Sequence, residues 1–212
     1  MSIASAELTK ISVNSYITMK ISFTNQLRLI AERLPGADIH AILDAIGSDS
    51  RIGRKYLKAG VSYGGPCFPR DNRLVAFAAR QVGLSAPLAE ASDTVNEMTK
   101  EALAEELVHG LTPGATIAVL GMSYKPDTYI TEESAGLFVA QKLKRAGWRV
   151  LVHDGAAVPA NSPAMHEFEA IDDLGSLSGR ADIAAVAICC PWPQYRGLAF
   201  HANTRVISHW QL

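Results

Sequence analysis

The first half of the chain shows the apolar spacing of helices. Apolar residues at steps of three and four predict a long amphipathic helix from about Ser5 to Ile30 and a second long helix over residues 86–110. A short helix is predicted over residues 39–46 with Asp38 as its N-cap, and another begins near Asp71. Residues 47–69 follow neither period and contain five Gly and two Pro, which is typical of a functional segment.

The second half alternates strands with helices. Short continuous apolar runs over residues 116–121, 149–153 and 182–190 indicate buried strands, residues 205–208 predict a further strand, and residues 134–146 form an amphipathic helix. This alternation predicts a parallel, doubly wound sheet. The sequence therefore predicts an α/β protein, with a helical domain over residues 1–112 followed by a small Rossmann-like parallel-sheet domain over residues 113–212.

Composition narrows the class of protein. The 212 residues carry 20 basic and 21 acidic side chains, so charge gives no reason to expect nucleic acid or a membrane as partner. The longest apolar run, at about residues 183–190, is shorter than the ~20 residues of a membrane helix, and MSIASAELTK does not have the pattern of a secretory signal. Three cysteines without CxxC spacing, and scattered histidines, favour a cytoplasmic protein without disulfides or a metal site.

The segment Tyr63-Gly-Gly-Pro-Cys67-Phe-Pro-Arg-Asp71 contains the strongest chemical candidate. Two glycines let a ligand approach the backbone before Cys67, while Arg70 and the start of a helix favour a thiolate there. Cys67 is therefore either a nucleophile or a cysteine that packs a turn, and the residues alone leave both open. Cys189 and Cys190, on a predicted buried strand, are expected in the core.

Lys10 and Asn14 are four residues apart and so share one face of the first helix. Such a pair could order water or stabilise an oxyanion, although a solvated stripe gives the same spacing more often.

Three segments resemble one known family. They are AELTKxxxN, DSRIGxxxLKxGVSYGGPCFPRD and IAVLGMSYKPDT, and they resemble the UDP-glucose/GDP-mannose dehydrogenase family in order and spacing, its UDP-glucose 6-dehydrogenases most closely. The resemblance implies that residues 1–112 are the central dimerisation domain with the catalytic Cys loop, and residues 113–212 the nucleotide-sugar (UDP)-binding domain. It implies NAD as cofactor, but the family's NAD-binding domain with its GxGxxG turn is absent from this chain.

The resemblance also implies roles for residues. Family members oxidise the sugar C6 alcohol to a carboxylate. Cys67 would capture the intermediate aldehyde as a thiohemiacetal, which would then become a thioester. Lys10 and Asn14 would stabilise the oxyanion and order water, and Asp71 would serve in the hydrolysis of the thioester. The implied substrate-binding residues are Arg51, Tyr56, Lys58, Tyr63, Gly64, Gly65, Phe68 and Lys125. Arg51 would reach the substrate of a neighbouring subunit in a homodimer built on the helix over residues 86–110.

Several positions depart from the family pattern. These are Gln26, Arg70, Tyr129, Ile130 and Glu132, together with Ser208 and Gln211 on either side of Trp210, and most of them replace charged residues of the family. Two hypotheses follow. The chain is a portion of an NAD-dependent dehydrogenase that converts UDP-glucose to UDP-glucuronate in polysaccharide biosynthesis, and is inactive without its NAD domain. Alternatively, it is a non-catalytic nucleotide-sugar-binding or dimerisation module. UDP-N-acetyl sugars and GDP-mannose are open alternatives to UDP-glucose.

Overall fold

A computed structural model describes residues 1–210 of the protein, which form two compact units. The first unit covers residues 1–99 and the second begins at Lys100. The helices are α1 (Ile3–Ala31), α2 (Ile39–Ser48), α3 (Phe68–Gln81), α4 (Pro87–Val108) and α5 (Ala135–Arg145). The strands are β1 (Thr116–Leu120), β2 (Arg149–His153), β3 (Glu169–Ala170), β4 (Ile183–Ile188) and β5 (Arg205–Ser208). Gln211, one of the departures from the family pattern, lies outside the described residues.

The predicted α/β class is confirmed, and the helix starts follow their capping residues. Asp38 accepts a hydrogen bond from the backbone N–H of His40 at 2.9 Å, and Ser134 accepts one from that of Leu137 at 3.1 Å. α3 begins at Phe68, three residues earlier than predicted, because Pro69 suits the first turn of a helix. Among the described residues, no helix is long and apolar enough to cross a membrane.

The long helix α1 forms as predicted, but its apolar stripe does not face the interior. Leu8, Phe23 and Ile30 are each about half exposed. The buried side chains of α1 are instead mostly polar, namely Thr18, Ser22, Thr24, Asn25, Arg28 and Ala31. Within the first unit α4 shows the same inversion, since Leu88 and Met98 are exposed while Ser92, Asn96 and Thr99 are buried. Buried polar groups require hydrogen-bond partners, and backbone groups of the segment between α2 and α3 supply several of them.

The second unit is built on a five-stranded parallel sheet with the strand order β3-β2-β1-β4-β5. All five residues of β1 are buried at its centre. The chain adds β2 and β3 on one side of β1 and then crosses to add β4 and β5 on the other, so the strand order reverses between β1 and β4. In parallel α/β sheets, ligands bind outside the carboxyl ends of the strands at this point. The short, exposed β3 was not predicted because it has no apolar run.

Two features of the second unit lie at the ends of its strands and of α4. Cys189 and Cys190 are buried as predicted, but they lie just beyond the end of β4 rather than within it. The guanidinium of Arg205 donates to the backbone carbonyls of Glu106 and His109 at 3.1 and 2.7 Å. These carbonyls lie where α4 ends, so Arg205 caps the carboxyl end of that helix.

Candidate active site

Two buried asparagines hold the segment that leads to Cys67. The Asn25 side chain on α1 accepts a hydrogen bond from the N–H of Gly60 at 3.0 Å and donates to the carbonyl of Val61 at 3.4 Å. The Asn96 side chain on α4 accepts from the N–H of Tyr63 at 2.8 Å and donates to the carbonyl of the same residue at 3.0 Å. Each side-chain amide thus satisfies a backbone donor and a backbone acceptor, as a neighbouring strand would.

Neither asparagine was predicted to hold this segment, although the sequence contains a signal for both. Small polar residues recur at helical spacing on α1, at positions 14, 18, 22 and 25, and on α4, at positions 92, 96 and 99. Residues at such spacing share one helix face. A stripe of small polar residues on a helix that also has an apolar stripe indicates a polar face with fixed hydrogen-bond partners.

Tyr63 packs inward from the same segment. Its phenol is buried and donates a hydrogen bond to the carboxylate of Asp93 on α4. Burial and the neighbouring Asp93 carboxylate raise the pKa of Tyr63 above its ordinary value, so the phenol stays protonated. Gly64 and Gly65 follow and are buried, and Gly65 has a φ of +80° that a side chain would strain.

This turn presents Cys67 at the start of α3. Cys67 is the N-cap residue of the helix, its side chain is exposed, and its thiol is free. The Arg70 guanidinium lies one turn further along, with Nη2 3.9 Å from the Cys67 Sγ. An exposed thiol beside a cation at a helix start is placed to act as a nucleophile.

Asp71 in the first turn of α3 is the centre of a charged cluster. Its buried carboxylate accepts hydrogen bonds from the Lys10 ammonium and, at 2.6 Å, from the Asn14 side chain, both on α1. Arg70 approaches the other oxygen, with Nε 3.2 Å away. Burial by itself would raise the pKa of Asp71, but the hydrogen bonds from Lys10, Asn14 and Arg70 outweigh it and hold that pKa below its usual value. The predicted Lys10–Asn14 pair and Asp71 therefore meet, although 57 residues separate Asn14 from Asp71 in the sequence.

Asn72 fixes the position of this cluster. Its buried side chain accepts hydrogen bonds from the hydroxyls of Ser15 and Thr18 on α1 at 2.8 and 3.1 Å. It donates to the carbonyl of Ala89 on α4 at 2.7 Å. The start of α3 is therefore hydrogen-bonded to both long helices, and these bonds fix the position of Asp71 relative to Lys10.

The other substrate-binding candidates of the first unit lie on the exposed part of residues 49–68. Arg51 is exposed and binds the Asp49 carboxylate, with Nη2 2.6 Å from Oδ2. Tyr56 has a φ of +60°, a strained conformation for an aromatic residue, and its ring meets that of Phe68 edge-on with centroids 6.4 Å apart. Lys58 is exposed. Their roles in binding substrate stay predictions.

In the second unit, Lys125 lies in the loop that follows β1. Its side chain is exposed and its Nζ is 5.6 Å from the centre of the Tyr124 ring. Two of the departures from the family pattern, Tyr129 and Glu132, are exposed in the same loop. At the end of β5, the Ser208 hydroxyl donates to the carbonyl of Trp210 at 3.3 Å.

The sheet of the second unit does not fit NAD. The turn after β1 has no GxGxxG sequence, and a Cβ on Gly121 would lie 2.5 Å from Cys190, so the missing side chain of this glycine makes room for Cys190. Asp154 follows β2, where dinucleotide-binding folds place the acid that binds ribose. Here its carboxylate accepts hydrogen bonds from Ser123, Trp192 and nearby backbone amides.

The chain combines a helical unit, in which an exposed cysteine lies beside a Lys–Asn–Asp cluster, with a doubly wound parallel sheet, which is the combination that the resemblance to nucleotide-sugar dehydrogenases implies. Residues 4–98 match the model of the UDP-glucose/GDP-mannose dehydrogenase family, central domain, and residues 118–209 match the model of its UDP binding domain. The chain belongs to the UDP-glucose/GDP-mannose dehydrogenase family.

Individual relatives agree with this assignment. The chain is 36% identical over 195 residues to the UDP-glucose 6-dehydrogenase TuaD of Bacillus subtilis, a match that covers 91% of this chain and 42% of the relative. It is 37% identical over 200 residues to a UDP-glucose 6-dehydrogenase of Pseudomonas aeruginosa, covering 90% and 44%. The solved structure of a UDP-glucose dehydrogenase from Pyrobaculum islandicum has a TM-score of 0.90 and 34% identity, over 98% of this chain and 48% of that one. The chain therefore spans less than half the length of these relatives.

Proposed function

We propose that this chain is the central and UDP-binding portion of an NAD-dependent UDP-glucose 6-dehydrogenase, which converts UDP-glucose to UDP-glucuronate. The observation that carries this proposal is the Asp71 carboxylate, fixed by Lys10 and Asn14, one helical turn after the exposed Cys67. The names of the relatives support UDP-glucose as the substrate. Within the proposal, residues 1–112 act as the catalytic-Cys and dimerisation domain and residues 113–212 as the nucleotide domain.

Cys67 is the proposed nucleophile toward the sugar aldehyde. Its sulfur forms a bond to the aldehyde carbon while the electron pair of the C=O π bond moves to the oxygen, which takes up a proton to give a thiohemiacetal. The Arg70 guanidinium, with Nη2 3.9 Å from the Cys67 Sγ, places a positive charge beside the attacking sulfur. Lys10 and Asn14 supply hydrogen-bond donors for the oxygen as it becomes negative.

Asp71 is the proposed base for release of the product. Bound NAD would accept two hydrides, the first from the C6 alcohol and the second from the thiohemiacetal, whose loss of a hydride and a proton leaves the thioester. Since the described residues do not fit NAD, this chain's own part is addition and hydrolysis. Water attacks the thioester carbon, the C–S bond breaks, and Cys67 leaves as the thiolate while the sugar leaves as the carboxylate. The lowered pKa of Asp71 keeps it ionised at neutral pH, so it can orient the attacking water and accept its proton.

Substrate contacts are proposed for the residues predicted from the family resemblance. Arg51, Lys58 and Lys125 are exposed cations that suit a diphosphate, and Arg51 would act on the substrate of a partner subunit. The Tyr56–Phe68 ring pair borders the turn that carries Cys67, and Gly64 and Gly65 offer their backbone there. Tyr63 would act through the backbone of the same segment, because its phenol is bound to Asp93.

A homodimer is part of the proposal. The half-exposed Leu8, Val13 and Tyr16 on α1, with Leu88 and Met98 on α4, leave apolar faces in water on both long helices. Such faces are typical of contacts between chains. The free, exposed Cys67 thiol supports a reducing compartment, the cytoplasm.

Calorimetric titration tests the proposal. UDP-glucose, UDP and GDP-mannose are titrated into the purified chain and into its Cys67→Ala variant. We expect both proteins to bind UDP and UDP-glucose in preference to GDP-mannose, because the thiol acts after binding. Binding to none of the three nucleotides would overturn the proposal.

Reduction of NAD separates an enzyme portion from a non-catalytic binding or dimerisation module. A separately expressed NAD-binding domain of TuaD is added together with UDP-glucose, and absorbance of NADH is followed. We expect turnover with the wild-type chain and none with Cys67→Ala. Binding of UDP-glucose without turnover would favour the binding module, a reading that the uncharged Tyr129 and Ser208 support.

A further inference from the structure

Five hydrogen bonds converge on the carboxylate of Asp154, at the carboxyl end of the sheet. One oxygen accepts from the backbone N–H and the hydroxyl of Ser123, both at 2.8 Å, and from the Trp192 indole at 3.2 Å. The other accepts from the backbone N–H groups of Ala156 and Ala157 at 2.9 and 2.8 Å. The carboxylate is buried, so the donors replace the water that an ionised group would otherwise require.

These donors come from three different loops. Ser123 follows β1, Ala156 and Ala157 follow β2, and Trp192 follows β4. The Trp192 indole also reaches the Ser123 hydroxyl at 3.1 Å, which closes a triangle of hydrogen bonds. Asp154 therefore joins the loops on either side of the point where the strand order reverses, which is where parallel sheets bind their ligands.

The loop after β1 is held at both of its ends. Ser123 is fixed by Asp154, and the Ser134 hydroxyl, at the other end, donates to the carbonyl of Met122 at 2.6 Å. Between them, the N–H of Tyr124 donates to the carbonyl of Ile130 at 3.0 Å, which brings the ends of the segment carrying Lys125 together. A loop fixed before its ligand arrives binds more tightly, because less conformational entropy is lost on binding.

We propose that Asp154 is a positioning residue for nucleotide-sugar binding, which holds the Lys125 loop in its binding geometry through Ser123 and Trp192. The proposal rests on the proposed function for the identity of the ligand and deepens it. Asp154 itself does not touch the nucleotide, because both of its oxygens are occupied by protein donors. An amide at this position would have one oxygen for five donors and would direct its own N–H groups at some of those donors. Asp154→Asn should therefore break the hydrogen bonds that hold the loops while keeping the shape of the side chain.

The experiment compares the full chain with three variants. Asp154→Asn removes the acceptor, Ser123→Ala removes one of its donors, and Val186→Ala is the control. Val186 is fully buried in the middle of β4, so its truncation lowers stability without touching the loops. UDP affinity is measured by calorimetry well below the unfolding temperature of every variant, and amide hydrogen exchange is measured over residues 121–131 without nucleotide.

We expect Asp154→Asn to lose at least tenfold in UDP affinity, Ser123→Ala to lose less, and Val186→Ala to stay within twofold of wild type. Exchange over residues 121–131 should accelerate at least tenfold in Asp154→Asn and stay within twofold in Val186→Ala. Wild-type affinity in a folded Asp154→Asn, or equal losses in the control, would overturn the positioning role. If the wild type does not bind UDP, the proposed function fails, and hydrogen exchange then tests the positioning role separately. Unchanged exchange over residues 121–131 in Asp154→Asn would overturn that role. Accelerated exchange would uphold Asp154 as the residue that holds this loop.

Discussion

Truncation of Asn96 tests whether the segment before Cys67 depends on side-chain amides. In the folded chain both backbone groups of the buried Tyr63 are bonded to Asn96. Asn96→Ala leaves the N–H and the carbonyl of Tyr63 without these partners. An unsatisfied buried group costs about 1–3 kcal/mol, so the two together should lower the free energy of unfolding by about 2–6 kcal/mol. That is a large fraction of the stability of an ordinary domain, which is about 5–15 kcal/mol.

Urea unfolding followed by circular dichroism measures this loss, and Ser22→Ala is the matched control. Ser22 is also buried and also joins α1 to α4, since its hydroxyl donates to the carbonyl of Ser92 at 2.7 Å, but it does not touch the segment before Cys67. Its removal deletes one hydrogen bond, which is worth about 1 kcal/mol. Hydrogen exchange at the Tyr63 amide should accelerate in Asn96→Ala and not in Ser22→Ala. Equal losses of stability in the two variants would refute the argument that Asn96 serves as a backbone partner.

Three further predictions concern other parts of the molecule. The lowered pKa of Asp71 means that its carboxylate stabilises the fold above about pH 4, the range of a free Asp, and that this contribution is lost as the pH falls through the folded-state pKa. The difference in the free energy of unfolding between wild type and Asp71→Asn, measured in urea, should therefore narrow from pH 6 to pH 3. A difference that widens over this range would contradict the prediction. Gly136→Ala would place a Cβ 2.0 Å from a backbone oxygen just after β1, so thermal unfolding should show that the free energy of unfolding falls by about 3 kcal/mol or more. In the control Gly179→Ala the new Cβ meets open space, so the free energy of unfolding should change little. Equal effects of the two substitutions would count against close packing of α5 on the sheet. Iodoacetamide at pH 8 should modify Cys67 alone in the folded chain, because burial raises the pKa of both cysteines that follow β4; peptide mass spectrometry showing early modification of those two would disprove their burial.

Part of the candidate site could be predicted from the sequence because it is local. Lys10 and Asn14 share a helix face by their spacing alone, and Cys67 lies at a helix start that a Gly pair and two prolines mark. Their meeting with Asp71 could be anticipated only from the family resemblance, because it depends on how α1 packs against α3. The partner of Tyr63 depends equally on folding, because Asp93 lies 30 residues away, whereas Arg51 binds Asp49, which is its near neighbour in the sequence.

The asparagines that hold the Cys67 segment were missed for a related reason. An apolar stripe predicts that a helix exists and also suggests which face is buried, but on α1 and α4 the buried faces of the first unit are largely polar. Burial of polar side chains is favourable only where donors and acceptors are matched, and the matching groups here belong to a distant irregular segment. Spacing along one helix contains no information about those groups.

The sequence by itself determined the kinds and order of the helices α1 to α5 and of all the strands except β3, as well as the parallel sheet and the family to which the chain belongs. Periodicity, capping residues and apolar runs are local properties, and the short-range sterics and hydrogen bonds that they reflect act whether or not the chain is folded. Only the tertiary structure decided which faces are buried, where Asn25, Asn96 and Asp154 find their partners, and how Lys10 meets Asp71. These outcomes depend on side chains that are far apart in sequence and satisfy one another only after the elements have packed, because a buried polar group takes its partner from whatever the fold brings within hydrogen-bond distance.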